Sequence, residues 1–282
     1  MIIALFPTKR FEESFAISNE IREFLEERNV TVVTDDALAD KIKAKPLSKL
    51  GKEKVDLIIS MGGDGTILRL YNKYTHLDAP ILGINLGHLG FMADIQLQNI
   101  FPALEEILEG SYKVDERPMI KGRLNDHTFH AVNDIVFHRS ANQSLIELSI
   151  HVNGLYMNTY VADGIIIATP NGSTAYSLSA GGPIVSPTLN AVVITPICAH
   201  TISNRPFVIS ADDELEIKFL SKYDHIEVRS DGLDHVMMQT NETFKISKSD
   251  RTFKLVNLVQ SDYFTTIRSK LGWSGSALKN KS

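Results

Sequence analysis

The chain has a single cysteine, Cys198, among its 282 residues, so an internal disulfide is excluded. Its apolar setting, Thr195-Pro-Ile-Cys-Ala199, predicts a buried structural thiol rather than a nucleophile. That usage fits a reducing compartment. Basic charge is also in short supply: 29 Lys and Arg stand against 34 Asp and Glu, a net charge of -5. No cationic field is left to draw in nucleic acid or an anionic membrane, and neither is expected as a partner. No apolar run approaches the ~18 residues of a membrane span. The first residues, Met1-Ile-Ile-Ala-Leu-Phe-Pro7, have no basic stretch before their apolar run and predict a short buried strand rather than a signal segment, hence a cytoplasmic protein. Repeats, low-complexity tracts and long Pro/Gly/Ser linkers are missing too. What remains is ordinary globular composition, 43% hydrophobic and 22% charged, in a length with room for two modest domains.

The first third alternates strand and helix signals. Ile2–Phe6 is a continuous apolar run, followed by Ser14 as a helix cap, Ile17, Ile21, Phe24 and Leu25 at helical spacing, and Asn29 as a stop. Strands are predicted at Val30–Thr34, Val55–Met61 and Pro80–Ile84. Ile67, Leu68, Tyr71 and Tyr74 form a helical stripe after Gly65, and a short helix spans Phe101–Glu109 with Pro102 in its first turn and Gly110 at its end. Buried strands separated by helices imply a parallel sheet, here doubly wound. Beyond about residue 117 the pattern turns to short strands. Asn153-Gly154 between Glu147–Val152 and Leu155–Val161 is a hairpin signal, because both central residues of a type I′ turn need positive φ. Phe129–Val132, Ile165–Ala168, Glu214–Leu220, Ile226–Arg229, Val236–Gln239, Phe244–Ser247 and Phe253–Val259 continue as strands. The expected architecture is α/β + β: an N-terminal doubly wound α/β domain over residues 1–117 and a C-terminal β-sandwich over 118–260. A helical segment, 261–282, packs back on either domain.

The sharpest chemical feature is Gly62-Gly63-Asp64-Gly65-Thr66, at the carboxyl end of a buried strand and the start of a helix. Glycines let the backbone approach a ligand, and free amides at the helix start favour phosphate oxygens. A carboxylate there suits a metal-bound phosphate or a hydroxyl that must lose a proton, which points to a kinase with Asp64 as its base. Arg69, about one helical turn beyond Asp64, could face phosphate or simply be solvated. The loop Thr169–Pro183 is dense in hydroxyls and glycines and carries Tyr176 as a stacking face, which reads either as a nucleotide site or as a turn-rich connector. Asn133-Asp134 could bind a ribose diol or base edge, or form a turn. His88 lacks Cys, His or Glu neighbours at ligand spacing, so it reads as a hydrogen-bonded loop histidine. No protein metal site is expected, and Mg²⁺ would arrive on ATP.

Several of these stretches together resemble the bacterial NAD kinases: Gly-Gly-Asp-Gly-Thr at 62–66, Gly-Ile-Asn-Leu-Gly-His-Leu-Gly-Phe at 83–91, Asp-Gly at 163–164, Thr-Pro-Asn-Gly-Ser-Thr-Ala-Tyr-Ser-Leu-Ser-Ala-Gly-Gly-Pro at 169–183 and Lys270-Leu-Gly-Trp273. The glycine-rich element is shared with phosphofructokinases and diacylglycerol-type lipid kinases; the Ser-Thr-Ala-Tyr-Ser block is far more specific. The resemblance implies transfer of the γ-phosphoryl of ATP, sometimes polyphosphate, to the 2′-hydroxyl of the adenosine ribose of NAD, giving NADP. It further implies an inter-domain site, a divalent metal with ATP, and a homo-oligomer, dimer or tetramer. By the same resemblance Asp64 accepts the ribose proton, and Gly65, Asn133, Asp134, Asp163, Thr174, Ala175, Tyr176, Ser177, Leu178 and Ser179 bind NAD.

The sequence departs from the family pattern in places. Asp134 stands where the family usually has glutamate, Val161 and Leu233 stand where a basic residue or glutamine often adds contacts, and the first strand lacks the usual following glycine. The rival readings are a lipid or sugar kinase sharing the glycine loop, against which the 174–179 block argues, and a non-catalytic NAD-binding sensor, which would have no use for a base at Asp64.

Overall fold

The computed structural model describes residues 1–9, 11, 13–87, 89–141, 144–200, 204–222, 225–258 and 263–273. The chain divides into two compact units, Met1–Asp115 with Lys254–Ser282, and Glu116–Phe253.

The first unit is built on parallel strands in the spatial order Lys45–Pro46, Thr31–Thr34, Ile2–Phe6, Leu57–Met61, Ile81–Asn85, with Ala93–Gln96 and Leu255 also pairing with Ile81–Asn85. The order runs outward from Ile2–Phe6 and then restarts on its other side at Leu57–Met61, so the topological switch point lies between these two strands. Every residue of Leu57–Met61 is buried, as a strand covered on both faces requires. Helix Glu13–Glu26 turns Ile21 and Leu25 into the core, and Asn29, at φ 61°, ends the turn that follows. Ser14, expected as that helix's cap, lies within it instead: its hydroxyl is buried and donates to the Thr8 carbonyl at 2.6 Å. The helix Asp64–Lys73 buries Ile67, Leu68 and Leu70. Its far end is anchored by Asp35, whose carboxylate takes Lys73 at 2.5 Å and the Tyr74 hydroxyl. Those two bonds hold the Asp35 carboxyl down at about 2. Among the described residues no helix is long and apolar enough to cross a membrane. The helix Tyr263–Leu271 buries Ile267 and sets Lys270 over the Phe91 ring within this same unit.

The second unit is a sandwich of antiparallel sheets. One runs Phe207–Ser210, Ala191–Ile197, Gly164–Ala168, Asp134–His138, Ile226–Ser230, Asp234–Met238. The other joins Leu155–Ala162, Ile146–Val152, Leu215–Phe219 and the start of Thr243–Leu258. The hairpin Tyr112–Leu124 with His127–Ala131 extends it. Their inner faces share one core around Phe137, Phe219 and Phe244. Asn153 and Gly154, at φ 50° and 77°, form the expected tight turn. Two expectations are corrected here. Phe244–Ser247 and Phe253–Val259 are one strand, Thr243–Leu258, because a largely exposed polar middle still keeps its ladder; Val259 itself lies outside the described residues. Cys198 is exposed rather than buried, since the chain leaves the core at the end of Ala191–Ile197 and turns at Cys198 with φ 48°.

Candidate active site

The glycine loop leaves Leu57–Met61 at the switch point and enters the helix that begins at Asp64. Gly62 adopts φ 146°, and a Cβ there would stand 2.6 Å from the Thr66 hydroxyl, so only glycine suits it. Gly63 and Gly65 are exposed, and the first helical turn presents amides that the helix does not itself use. Arg69 is exposed, with its guanidinium close to Gly65.

Asp64 is tied to the loop before Ala93–Gln96. Oδ2 accepts the Phe91 N–H at 2.8 Å, and Oδ1 accepts those of Met92 and Ala93, each at 3.0 Å. Gly90 packs so closely that a Cβ on it would lie 2.1 Å from Oδ1. A carboxylate has about four lone-pair sites, so three amides leave one, on Oδ2, for a substrate hydroxyl. The anion also sits at the positive end of its own helix. His88, in the same stretch of sequence, lies outside the described residues.

In the second unit, a cavity of about 450 Å³ opens on the outer face of the sheet beside the hydroxyl-rich loop. Asp134, Val136 and His138 line it from one strand with Asn133 just before it, Glu227 and Arg229 from the next with Asp231 and Gly232 in the turn after it, and Ala175 and Tyr176 from the loop. The loop is held down by side chains: Ser177 bonds Thr195 at 2.8 Å, and Ser173 bonds the Pro170 carbonyl at 2.7 Å. Of the expected binding residues, the structure thus gathers Asn133, Asp134, Ala175 and Tyr176 around one cavity. Ser177 is buried under it, Thr174 bonds the Asn171 carbonyl, and Leu178 and Ser179 continue the short helix Tyr176–Ser179 away from the lining. Asp163 is elsewhere, its carboxylate paired with Arg139 at 2.8 Å.

The residues the sequence did not single out are those that fix this cavity. The Asp231 carboxylate accepts the N–H groups of Val132, Asn133 and Asp134 at 2.7 to 3.1 Å. The buried Asp134 is pushed up to about 7, by burial first and then by the Asp231 charge. Burial likewise raises Asp231, to about 6, against the opposing pull of its three amide donors. One proton on Asp134 and a charged Asp231 is the arrangement those donors favour. In the sequence, Asp231-Gly232 is indistinguishable from an ordinary turn between strands.

An anchored carboxylate beside helix-start amides at a switch point, in a chain that also carries a sandwich with an acidic cavity, is equipment that suits a nucleotide-binding phosphotransferase. Comparison with known proteins narrows the class. The ATP-NAD kinase N-terminal domain family model matches residues 3–112, and the ATP-NAD kinase C-terminal domain model matches 132–258. An NAD kinase of Protochlamydia amoebophila (strain UWE25) is 50% identical over 275 residues, 97% of this chain and 99% of the relative. One of Geotalea daltonii is 37% identical over 278 residues, covering 96% and 98%. Among solved structures, yeast NADH kinase complexed with NADH superposes with a TM-score of 0.82 at 25% identity, covering 100% of this chain and 90% of that one. An NAD kinase from Archaeoglobus fulgidus in complex with ATP gives 0.75 at 26% identity, covering 97% and 99%. The chain belongs to the NAD kinase family, and with it to the phosphotransferases acting on NAD. The lipid-kinase, sugar-kinase and sensor readings fall away.

Proposed function

We propose that this chain transfers the γ-phosphoryl of ATP to the 2′-hydroxyl of the adenosine ribose of NAD, giving NADP, with Asp64 as the base. The observation that carries the reading is the single lone pair left on Asp64 Oδ2 once its three backbone donors are counted. The 2′-hydroxyl donates its proton to that oxygen as its own oxygen bonds the γ-phosphorus; the bond to the bridging β,γ-oxygen breaks and ADP leaves. The amides of the first turn after Gly63, with Gly65 and Arg69, hold phosphate oxygens. Asn133, Asp134, Ala175 and Tyr176 take the dinucleotide, with Thr174 and the buried Ser177 holding the loop behind them. Asp64 is the one carboxylate of the glycine loop and has little coordinating capacity left, which fits a Mg²⁺ ion held mainly by ATP phosphates and water. When bound, such an ion would neutralise charge on the phosphates. The ligands named for the yeast and archaeal relatives, NADH and ATP, support the two substrates. A cytoplasmic homo-oligomer, dimer or tetramer, completes the reading.

The test is a panel of NAD, NADH, fructose 6-phosphate and diacylglycerol with labelled ATP and Mg²⁺, followed by NMR of the product. Labelling at the adenosine 2′-hydroxyl is expected, because positioning by the site selects one hydroxyl. Preferential labelling of a sugar, a lipid or another NAD hydroxyl overturns the proposal.

A further inference from the structure

Behind the cavity wall runs a buried chain of side chains whose polarity is fixed from one end. Arg117 and Asn171 are both buried, and Arg117 Nη1 donates to Asn171 Oδ1. Asn171 Nδ2 then donates to Asn133 Oδ1 at 2.6 Å. A guanidinium has donors and no acceptor, so the atom of Asn171 that meets it must be the oxygen. The amide group of Asn171 therefore points at Asn133, which must answer with its own oxygen. The Nδ2 group of Asn133 is left toward the cavity that Asn133 lines. The backbone of Asn133 is held as firmly, by the bond from its N–H to Asp231 at 2.7 Å.

We propose that Arg117 and Asn171 are positioning residues that set the hydrogen-bond polarity of the dinucleotide pocket, holding Asn133 so that it offers a donor and selects an acceptor atom of the ligand. The inference rests on the reading of this cavity as the NAD site. An unconstrained asparagine presents either face at little cost, whereas one locked the wrong way leaves two acceptors opposed in a desolvated site.

Asn171→Asp separates polarity from packing. A carboxylate at 171 keeps Arg117 paired, yet it can only accept, so Asn133 must turn its Nδ2 group inward and show Oδ1 to the ligand. Asn171→Ala removes this one bond to Arg117 but leaves Asn133 able to face either way. The two variants should rank oppositely in two measurements on the full chain: Asn171→Asp melts higher than Asn171→Ala, and calorimetry shows it binding NAD about tenfold or more weaker than Asn171→Ala does. Affinities that follow the melting order overturn the proposal. If Asn171→Asp does not fold, Asn133→Asp carries the test: it keeps the bond from Asn171 and replaces the ligand-facing donor with an acceptor. A loss of about tenfold is expected for it, and unchanged affinity is refutation. Wild-type protein that binds no NAD would instead refute the reading of the cavity itself.

Discussion

Replacing Asp64 by asparagine removes a base and, in this structure, also a structural anchor. The carboxylate takes three N–H donors, from Phe91, Met92 and Ala93. Asparagine has one oxygen, which can keep the two bonds at the Oδ1 position. Its amide must then face the Phe91 N–H, donor against donor. One charge-assisted bond of about 1.5–3 kcal/mol is lost and the two that remain become neutral, so a destabilisation of about 2–4 kcal/mol follows. For a protein of this size that is a fall in melting temperature of roughly 3–7 °C. Turnover should fall independently, by about 10²–10⁴, because the amide cannot accept the ribose proton. The assay pairs a thermal melt with NADP formation measured well below the variant's melting point, where the folded fraction is near complete. Near-normal turnover in folded protein refutes the base, and an unchanged melting temperature refutes the three-donor anchor.

Two further perturbations probe the same machinery. Gly90→Ala places a Cβ where Asp64 Oδ1 lies, 2.1 Å away, so the carboxylate must move. We expect turnover to drop about tenfold or more with NAD affinity unchanged, and no further drop in an Asp64→Asn background; equal losses in both backgrounds would show that Gly90 acts elsewhere. Asp134, raised to about 7 by burial and by Asp231, holds a proton in the folded protein that the unfolded chain has already lost above about 4. Its contribution is therefore fully present at low pH and lost as pH rises through about 7. Asp134→Asn, neutral throughout, should flatten the decline in stability of the ligand-free protein between about pH 5 and 8 by on the order of 2–4 kcal/mol. Parallel stability curves for the two proteins would count against the buried proton.

The sequence by itself determined the local elements and the place of the glycine loop, because both depend on short-range patterns. The apolar run through Met61, the glycines at 62, 63 and 65, and the Asn153-Gly154 turn each specify their own backbone. Their periodicity also separated a parallel α/β part from an antiparallel one. The sequence could not show that Ser14 bonds inward to Thr8, that polar residues continue a strand through 248–252, or that Cys198 faces solvent; in each case a tertiary neighbour or a turn overrides local preference. The site divides in the same way. Asp64 was legible because a carboxylate among glycines has few structural uses, but its three amide partners lie 27 to 29 residues away and were not. Asn133 and Asp134 were legible only as an ambiguous pair. Asp231 sits 97 residues beyond Asp134, and Arg117 and Asn171 are 54 residues apart. Only folding brings an ordinary-looking turn aspartate onto three consecutive amides, or aligns Arg117, Asn171 and Asn133 so that a donor-only side chain dictates what the cavity offers. Residue type supplies the hydrogen-bonding capacity, and tertiary structure decides which partner uses it.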